Sequence, residues 1–323
     1  MKYLFFFTLF FLSIETYCQS GELQGKWFLD KITYQNGNDL EINHPEFSTK
    51  VIYIISKNSL KINSHVFKAN YSSNSIKTDF RKMNYSLDNN NLKVSEVGVD
   101  KIYYFVKKEN FIKKNPEFKP SKTIRYNDTL LIANDFSDYN FKNDLEYEEF
   151  ISKNMPDHPS KSFEKLYFEI EFVLTKEGKI KNIVVLNSIS QTYDDEYLIA
   201  LKKAEKFFVN STGYDLLITK EVNHLKFYND LSDNNEKKML DLLALADRYY
   251  NSNKFEKAIV EYNKIMSIQI KENRFKLTLK DALKRLGISN LAIGNLTEAC
   301  INFRTIGDET DFEIRNYLKK FCP

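Results

Sequence analysis

The sequence predicts a multidomain chain in which an antiparallel β-barrel domain is followed by an α+β domain and then by all-α helical hairpins. Three observations lead there. From Gly21 to about Ala133, short runs of alternating apolar and polar residues are punctuated by Asn, Asp, Ser and Gly, the period and the breakers of strands and turns. Between Phe168 and Phe208, two such runs are followed by one helical run. From Met239 onward, apolar residues recur at helical spacing.

The first residues address the chain. Lys2 supplies a positive start, Tyr3–Ile14 is an apolar run interrupted only by Thr8 and Ser13, and Thr16 and Cys18 are small residues ahead of a cleavage point. Residues 1–18 are therefore expected to be a signal peptide cut near Cys18/Gln19, leaving a periplasmic or secreted protein. Lipid anchoring at Cys18 is the weaker reading, because Glu15 and Tyr17 fit a lipobox poorly. The run is shorter than the roughly 20 apolar residues a membrane span needs, and no later stretch reaches that length, so no membrane span is expected in the mature chain. Without Lys2 and Glu15 the 47 basic and 44 acidic residues become 46 and 43, a balance that does not point to nucleic acid.

In the N-terminal domain, residues 21–133, strands are predicted at 27–34, 51–56, 60–62, 66–71, 83–87, 92–96, 101–107, 111–114 and 129–133. The clearest hairpin has the Asn-rich tip Asp88–Asn91, since Asn tolerates left-handed backbone. The opening Gly25-Lys26-Trp27 is similar to the G-x-W signature of lipocalin-like domains, and Trp27 is the only tryptophan. That resemblance implies that Gly25 and Trp27 mark a closed barrel end. It leaves two readings of the interior, a cup for a small apolar ligand or a space filled by the domain's own side chains, and the filled interior is preferred.

Residues 134–145 read as a linker and 146–228 as the α+β domain. Strands at 166–174 and 180–186 meet at a turn on Glu177 and Gly178. A helix follows, with Thr192 and Asp195 as a capping box and Tyr197, Leu201, Ala204 and Phe208 on one face, and Tyr214–Tyr228 returns to strand character. This β-β-α-β order, with F-V-L-T-K-E-G-K-I-K-N-I-V-V-L-N-S, resembles the periplasmic C-terminal domain of the TonB energy-transducer family, and the upstream run with Tyr147, Phe150, Ile151, Asn154 and Pro159 is similar to the short helix preceding it in Bacteroidetes-type members. The resemblance implies a sheet that recognises an extended partner segment by adding it to an edge, with Leu216 and Ile218 on the last strand as binding positions, and implies no catalysis. The chain has neither the membrane helix nor the proline-rich spacer of a working transducer; its six prolines are dispersed.

Residues 236–323 are predicted to be helical. Leu242, Leu245, Ala246, Tyr249, Phe255, Ala258 and Tyr262, then Leu283, Leu286, Gly287, Gly294, Leu296, Ala299 and Phe303, resemble two tetratricopeptide (TPR) repeats. Ala258 and Ala299 lie 41 residues apart, seven more than the usual 34, and extra helical turns around Ile270–Lys276 are expected to absorb the difference. By slot the resemblance puts Leu243, Asp247, Tyr250, Asn251, Lys284, Ile288 and Leu291 on a face that either binds a partner or packs on the preceding domain. A last helix, with Thr310 and Glu313 as a capping box and Ile314, Tyr317, Leu318 and Phe321 as its apolar face, is expected to cap the array. Cys300 and Cys322 are the cysteines left after cleavage, in an oxidising compartment, and are predicted to form a disulfide.

Motifs of chemistry are not found. His44, His65, His158 and His224 are scattered without ligand spacing, and no nucleophile elbow, phosphate loop, dinucleotide fingerprint or zinc helix occurs. Asp194-Asp195-Glu196 is accounted for by the positive end of a helix dipole. The expectation is a non-enzymatic adaptor of the cell envelope without cofactor. Its partner is a protein or peptide there, an outer-membrane protein being one candidate. The rival reading is a carrier of a small apolar ligand in the N-terminal barrel.

Overall fold

The computed structural model describes residues 21–88, 90–143, 145–156, 167–223, 233–270, 275–307 and 311–322. The expected signal segment, His158, Pro159, His224 and Thr310 lie outside them. The chain divides into two compact units, Met1–Glu117 with Glu309–Lys320, and Phe118–Asp308 with Phe321–Pro323.

In the first unit, β1 (Gly25–Tyr34), β2 (Ile52–Ser56), β3 (Ser59–Ile62), β4 (His65–Tyr71), β5 (Ser75–Thr78), β6 (Lys82–Asp88), β7 (Asn91–Glu96) and β8 (Lys101–Lys107) form a closed antiparallel barrel in sequence order. Closure rests on the ten-residue β1, which pairs with β2 through Gly25–Phe28 and with β8 along Trp27–Tyr34, bending at a register shift between Leu29 and Lys31. Alternation fills the interior. On β7, for example, Leu92 and Val94 are buried while Asn91 and Lys93 face water, and Trp27, Leu29, Ile32, Tyr53, Ile55, Leu60, Ala69, Ile76, Met83 and Phe105 complete the cluster. Asn90, in the β6–β7 turn, has the left-handed φ of 66° that its sequence suggested.

Residues 111–114 are not a strand: they belong to α1 (Lys108–Lys114), in which Phe111 turns inward while the lysines of the last turn project outward. The helix at the C-terminal end, Phe312–Phe321, belongs to this same unit. It was expected to cap the helical array, but its apolar face is used on the barrel side. Phe312 stacks on Phe111 with ring centroids 5.4 Å apart, Tyr317 packs on Phe47 at 5.0 Å, and the Tyr317 hydroxyl donates to Ile42 O at 2.7 Å. Arg315 is buried there, its guanidinium 4.7 Å over the Phe111 ring and donating to Asp30 O at 3.2 Å; burial lowers its pKa.

The second unit opens with the hairpin β9 (Lys122–Arg125) and β10 (Asp128–Ile132), followed by β11 (Tyr139–Phe141) and α2 (Tyr147–Asn154). Then come β12 (Tyr167–Leu174), β13 (Ile180–Asn187), α3 (Gln191–Ala204), β14 (Phe208–Asn210) and β15 (Leu216–Asn223). The sheet order is β13-β12-β15-β10-β9, with β11 and β14 as a separate pair. Residues 129–133 were expected in the N-terminal domain. They join the second sheet because the barrel closes on itself and offers no edge, whereas Leu130 finds apolar cover against Val173 and Leu217. The linker assigned to 134–145 likewise holds a strand, β11, whose Phe141 sits among Tyr147, Phe150, Phe207 and Phe208.

The turn before β13 needs its glycine. Gly178 has φ 79°, and a Cβ there would lie 2.8 Å from Phe208 O. The cap of α3 is Ser190, whose Oγ accepts from Tyr193 N at 3.2 Å, two residues before the expected Thr192. Tyr193, Tyr197, Ala200, Leu201 and Ala204 then cover the face of the sheet that carries Phe168, Ile170, Phe172, Leu216 and Ile218.

Helical hairpins complete this unit: α4 (Asn234–Asn251) with α5 (Phe255–Met266), and α6 (Lys276–Ala292) with α7 (Leu296–Thr305). Asp233 caps α4 by accepting from Asn235 N and Glu236 N. Of the extra turns expected around Ile270–Lys276, Ile270 is not helical, Lys276 begins α6, and 271–274 lie outside the described residues. Close approach of α6 and α7 is centred on Gly287, where a Cβ would stand 2.5 Å from the ring of buried Phe303. Cys300 on α7 and Cys322 are bonded at an S–S distance of 2.04 Å.

Candidate functional site

Strand addition requires an edge, so the two sides of each strand in the five-stranded sheet decide where a partner fits. β15 pairs with β12 along its whole length, from Leu174↔Leu216 to Tyr167↔Asn223. Its other side is taken at the start by β10 in parallel, Leu131↔Leu216 and Ile132↔Leu217, with Leu131 N donating to Asp215 O and Ala133 N to Leu217 O, both at 2.9 Å. Leu216 and Ile218 are buried in the core under α3. Leu216 is flanked on both sides by strands of its own chain, whereas β10 pairs no further than Leu217, and the side chains of both Leu216 and Ile218 are core.

The sheet has two outer strands, β9 and β13; β9 spans four residues and, although Ile124 is exposed, is bounded by Lys122 and Arg125, so the longer edge, β13, is the candidate. This strand pairs only with β12 among the described residues, and it exposes Ile183 and Val184 (39% each) and Leu186 (45%). Val185 and Ile180 point the other way and pack against the core. From Asn182 to Asn187 the strand carries no charge. Register shifts against β12 fall on either side of its middle, and Asn182 has φ 51°. Such bulges shorten the regular stretch an incoming strand can use. The sequence held a signal for this edge. Ile183, Val184, Val185 and Leu186 are four consecutive apolar residues, and a strand with one covered face can bury only alternate ones.

The other face of the same sheet carries the buried apolar cluster Leu130, Val173 and Leu217 and, beside it, acids that are internally neutralised. Buried Glu171 pairs with Arg125 and accepts from the Tyr126 hydroxyl at 3.4 Å. Glu169 accepts from Asn187 Nδ2 at 2.6 Å, and Glu221 accepts from the Tyr167 hydroxyl at 2.8 Å and pairs with Lys276 at 3.1 Å. Burial first, and then the hydrogen bond to Glu221, push the Tyr167 phenol up. These contacts tie β9, β12, β15 and the start of α6 together, and each acid already has its partner.

The residues placed by slot on a helical binding face divide. Asp247 accepts from the Tyr262 hydroxyl at 2.7 Å and pairs with Arg285 at 2.7 Å, and Arg285 lies 5.8 Å over the Tyr250 ring, so these groups are spent between helices. Lys284 pairs with Asp281 at 2.9 Å, Ile288 is buried, and Leu243 packs into the helical core. Asn251 is exposed at the end of α4. No groups of His, Cys, Asp or Glu with metal-holding geometry occur among the described residues.

At the barrel end, Trp27 is fully buried and donates Nε1–H to Leu23 O at 2.8 Å. Lys107 lies 3.8 Å above its ring and donates to Gln24 O at 2.7 Å, with its pKa lowered by burial. Gly25 makes room, since its Cβ would stand 2.9 Å from Lys107 Nζ and its φ is 120°.

Compared with protein-family models, with curated proteins and with solved structures, the chain matches none. Its class is defined by its own geometry: a closed eight-stranded barrel, followed by a mixed sheet and helical hairpins stapled by a disulfide, with no helix among the described residues long and apolar enough to cross a membrane.

Proposed function

We propose that this chain is a non-enzymatic adaptor of the cell envelope that captures an extended segment of a periplasmic or outer-membrane protein by adding it to the outer edge of β13. The plan follows the TonB C-terminal-like reading of the β-β-α-β unit, with TPR-like hairpins beside it and a lipocalin-like barrel in front. The site, however, moves from β15 to β13. One observation carries the proposal: β13 is an edge strand whose exposed side chains include Ile183, Val184 and Leu186, with no lysine or proline between Asn182 and Asn187. Soluble proteins guard such edges with charge, proline and bulges; β13 has bulges but neither charge nor proline from Asn182 to Asn187, which leaves its exposed apolar stretch as a template for another strand. The bulges at its ends limit the regular stretch, which favours a short partner segment over end-to-end stacking of copies. The barrel interior is occupied by its own Trp27, Tyr53, Met83 and Phe105 side chains, which argues against the carrier reading.

The test is site-specific photo-crosslinking from position 186, on the same strand and exposed, in cells, compared with a position on the covered strand β12. Adducts to a discrete envelope protein, lost in the double variant Ile183→Lys/Val184→Lys, are expected. Both side chains are partly exposed, so the variant should keep its stability within about 0.5 kcal/mol. Absence of adducts, or adducts only between copies of this chain, would refute the adaptor.

A further inference from the structure

We propose that one rim of the barrel is a docking surface for a lipid bilayer with anionic headgroups. In an antiparallel meander every second turn falls at the same end, so the β1–β2, β3–β4, β5–β6 and β7–β8 connections share one rim, and in the first of these Asp39, Glu41 and Glu46 are already partnered by Lys320, Tyr34 and Lys101. Phe80, at the tip of the β5–β6 turn, is 81% exposed; Val66 and Val97, beside the neighbouring turns, are 65% and 57% exposed. The tip is held firmly. Thr78 N donates to Arg81 O at 2.9 Å and Arg81 N donates to Thr78 Oγ1 at 3.0 Å, while Phe80 meets Phe67 edge-on at 6.4 Å. Val97 N donates to Lys82 O at 3.0 Å, which sets Val97 alongside this hairpin. A lone exposed apolar residue is ordinary, but three bulky ones on one rim form a patch.

Charge decides what the patch meets. Lys77 and Lys82 stand directly opposite each other across β5 and β6, an arrangement that costs stability in water. Lys68, Lys77 and Lys82 are exposed, and none has a carboxylate partner among the described residues. Arg81 at the tip pairs with Glu96 at 3.3 Å. Toward this end, the β3–β7 segment carries five basic residues, Lys61, Lys68, Lys77, Arg81 and Lys82, against two acidic ones, Asp79 and Glu96, in a protein whose net charge is only +3. An anionic surface removes the repulsion between the opposed lysines. A bilayer also offers the Phe80 ring the boundary between headgroups and acyl chains. A soluble polyanion would satisfy the lysines and leave Phe80 in water, and for that reason the bilayer is the occupant chosen.

Vesicle flotation of the full chain tests this, with phosphatidylcholine vesicles containing phosphatidylglycerol against phosphatidylcholine alone, at low and high salt. Salt-sensitive binding to the anionic vesicles is expected. Lys77→Glu/Lys82→Glu should weaken it by roughly fivefold per lysine or more, and Phe80→Ser by roughly tenfold. All three positions are exposed, and unchanged thermal melting of each variant would show that the fold is intact. Equal binding to both vesicle types, or binding that survives both substitutions and so resides elsewhere, for instance in the apolar N-terminal residues, would overturn the proposal. Binding to heparin that is indifferent to Phe80→Ser, with no vesicle binding, would assign the rim to a soluble polyanion and overturn it equally.

Discussion

Replacing Gly287 with alanine sets two known effects against each other. In an open helix the change is favourable by about 1 kcal/mol, because glycine forfeits more backbone entropy on folding. At this position the new methyl would lie 2.5 Å from Phe303 Cε1 and 2.9 Å from both Cδ1 and Cζ. The Phe303 ring is buried and cannot swing into solvent, so relief requires α6 and α7 to move apart. Overpacking of this kind costs roughly 1–3 kcal/mol. The clash should win, with a net loss of about 1 kcal/mol in the stability of the helical hairpins. Phe303→Leu removes most of the ring that the methyl strikes. In that background Gly287→Ala should become neutral or stabilising, a coupling of roughly 1–3 kcal/mol. Urea unfolding followed by helical ellipticity measures all four corners of the cycle, and Trp27 fluorescence separately reports the barrel, which holds the only tryptophan. Stabilisation by Gly287→Ala in the native background, or the same shift in both backgrounds, would refute the close-packing argument.

Other perturbations follow from the same structure. Reducing the Cys300–Cys322 bond, which spans 22 residues, should cost about 3 kcal/mol by the chain-entropy relation, read as a shift of the ellipticity midpoint with reductant and absent in a Cys300→Ala/Cys322→Ala variant. Gly25→Ala strains a φ of 120° and crowds Lys107 Nζ, so a loss of roughly 1–2 kcal/mol and altered Trp27 emission are expected; native emission and midpoint would count against the role given to Gly25. Burial pushes the Tyr53 phenol from 10.0 up to about 12. A raised folded-state pKa means that the folded barrel holds this proton longer than the unfolded chain does. Its contribution is therefore complete below about pH 10 and lost as the pH climbs towards about 12, roughly 3 kcal/mol in all. Denaturant midpoints across that range should fall less steeply in Tyr53→Phe. Asp247→Ala leaves the Tyr262 hydroxyl without its acceptor and Arg285 with Asp281 alone, which should cost about 1–3 kcal/mol of helical stability.

What the sequence revealed follows the range of the interactions involved. Local patterns were readable. Alternation located most barrel strands, Asn90 and Gly178 marked their turns, and Tyr197, Leu201 and Ala204 showed the buried face of α3. Short elements were not. Ser75–Thr78 offers only four residues between Asn- and Ser-rich turns, and Phe111–Lys114 is one apolar pair before two lysines, equally compatible with strand and helix until Phe28 and Phe312 supply a pocket. Membership of a sheet was not readable either. Nothing near Leu131 in sequence says that its partner is Leu216 and not a barrel strand, because that choice depends on which edge is left open by closure elsewhere. The candidate edge was misplaced for this reason. The resemblance directed attention to the last strand, and the β9–β10 hairpin that covers it comes from a segment assigned to a different domain.

The return of the C-terminal helix to the barrel unit has a consequence for synthesis. Arg315 meets Asp30 across 285 residues of chain, and Asn316 and Tyr317 meet the β1–β2 loop at Phe47 and Ile42 across 269 and 275. A nascent chain therefore makes its barrel strands first and must wait for Phe312–Tyr317 before Phe111 and Phe47 have these ring partners. Termination before Phe312 removes the ring partners of both Phe111 and Phe47. Folding of this unit is thus coupled to the synthesis of residues far along the chain.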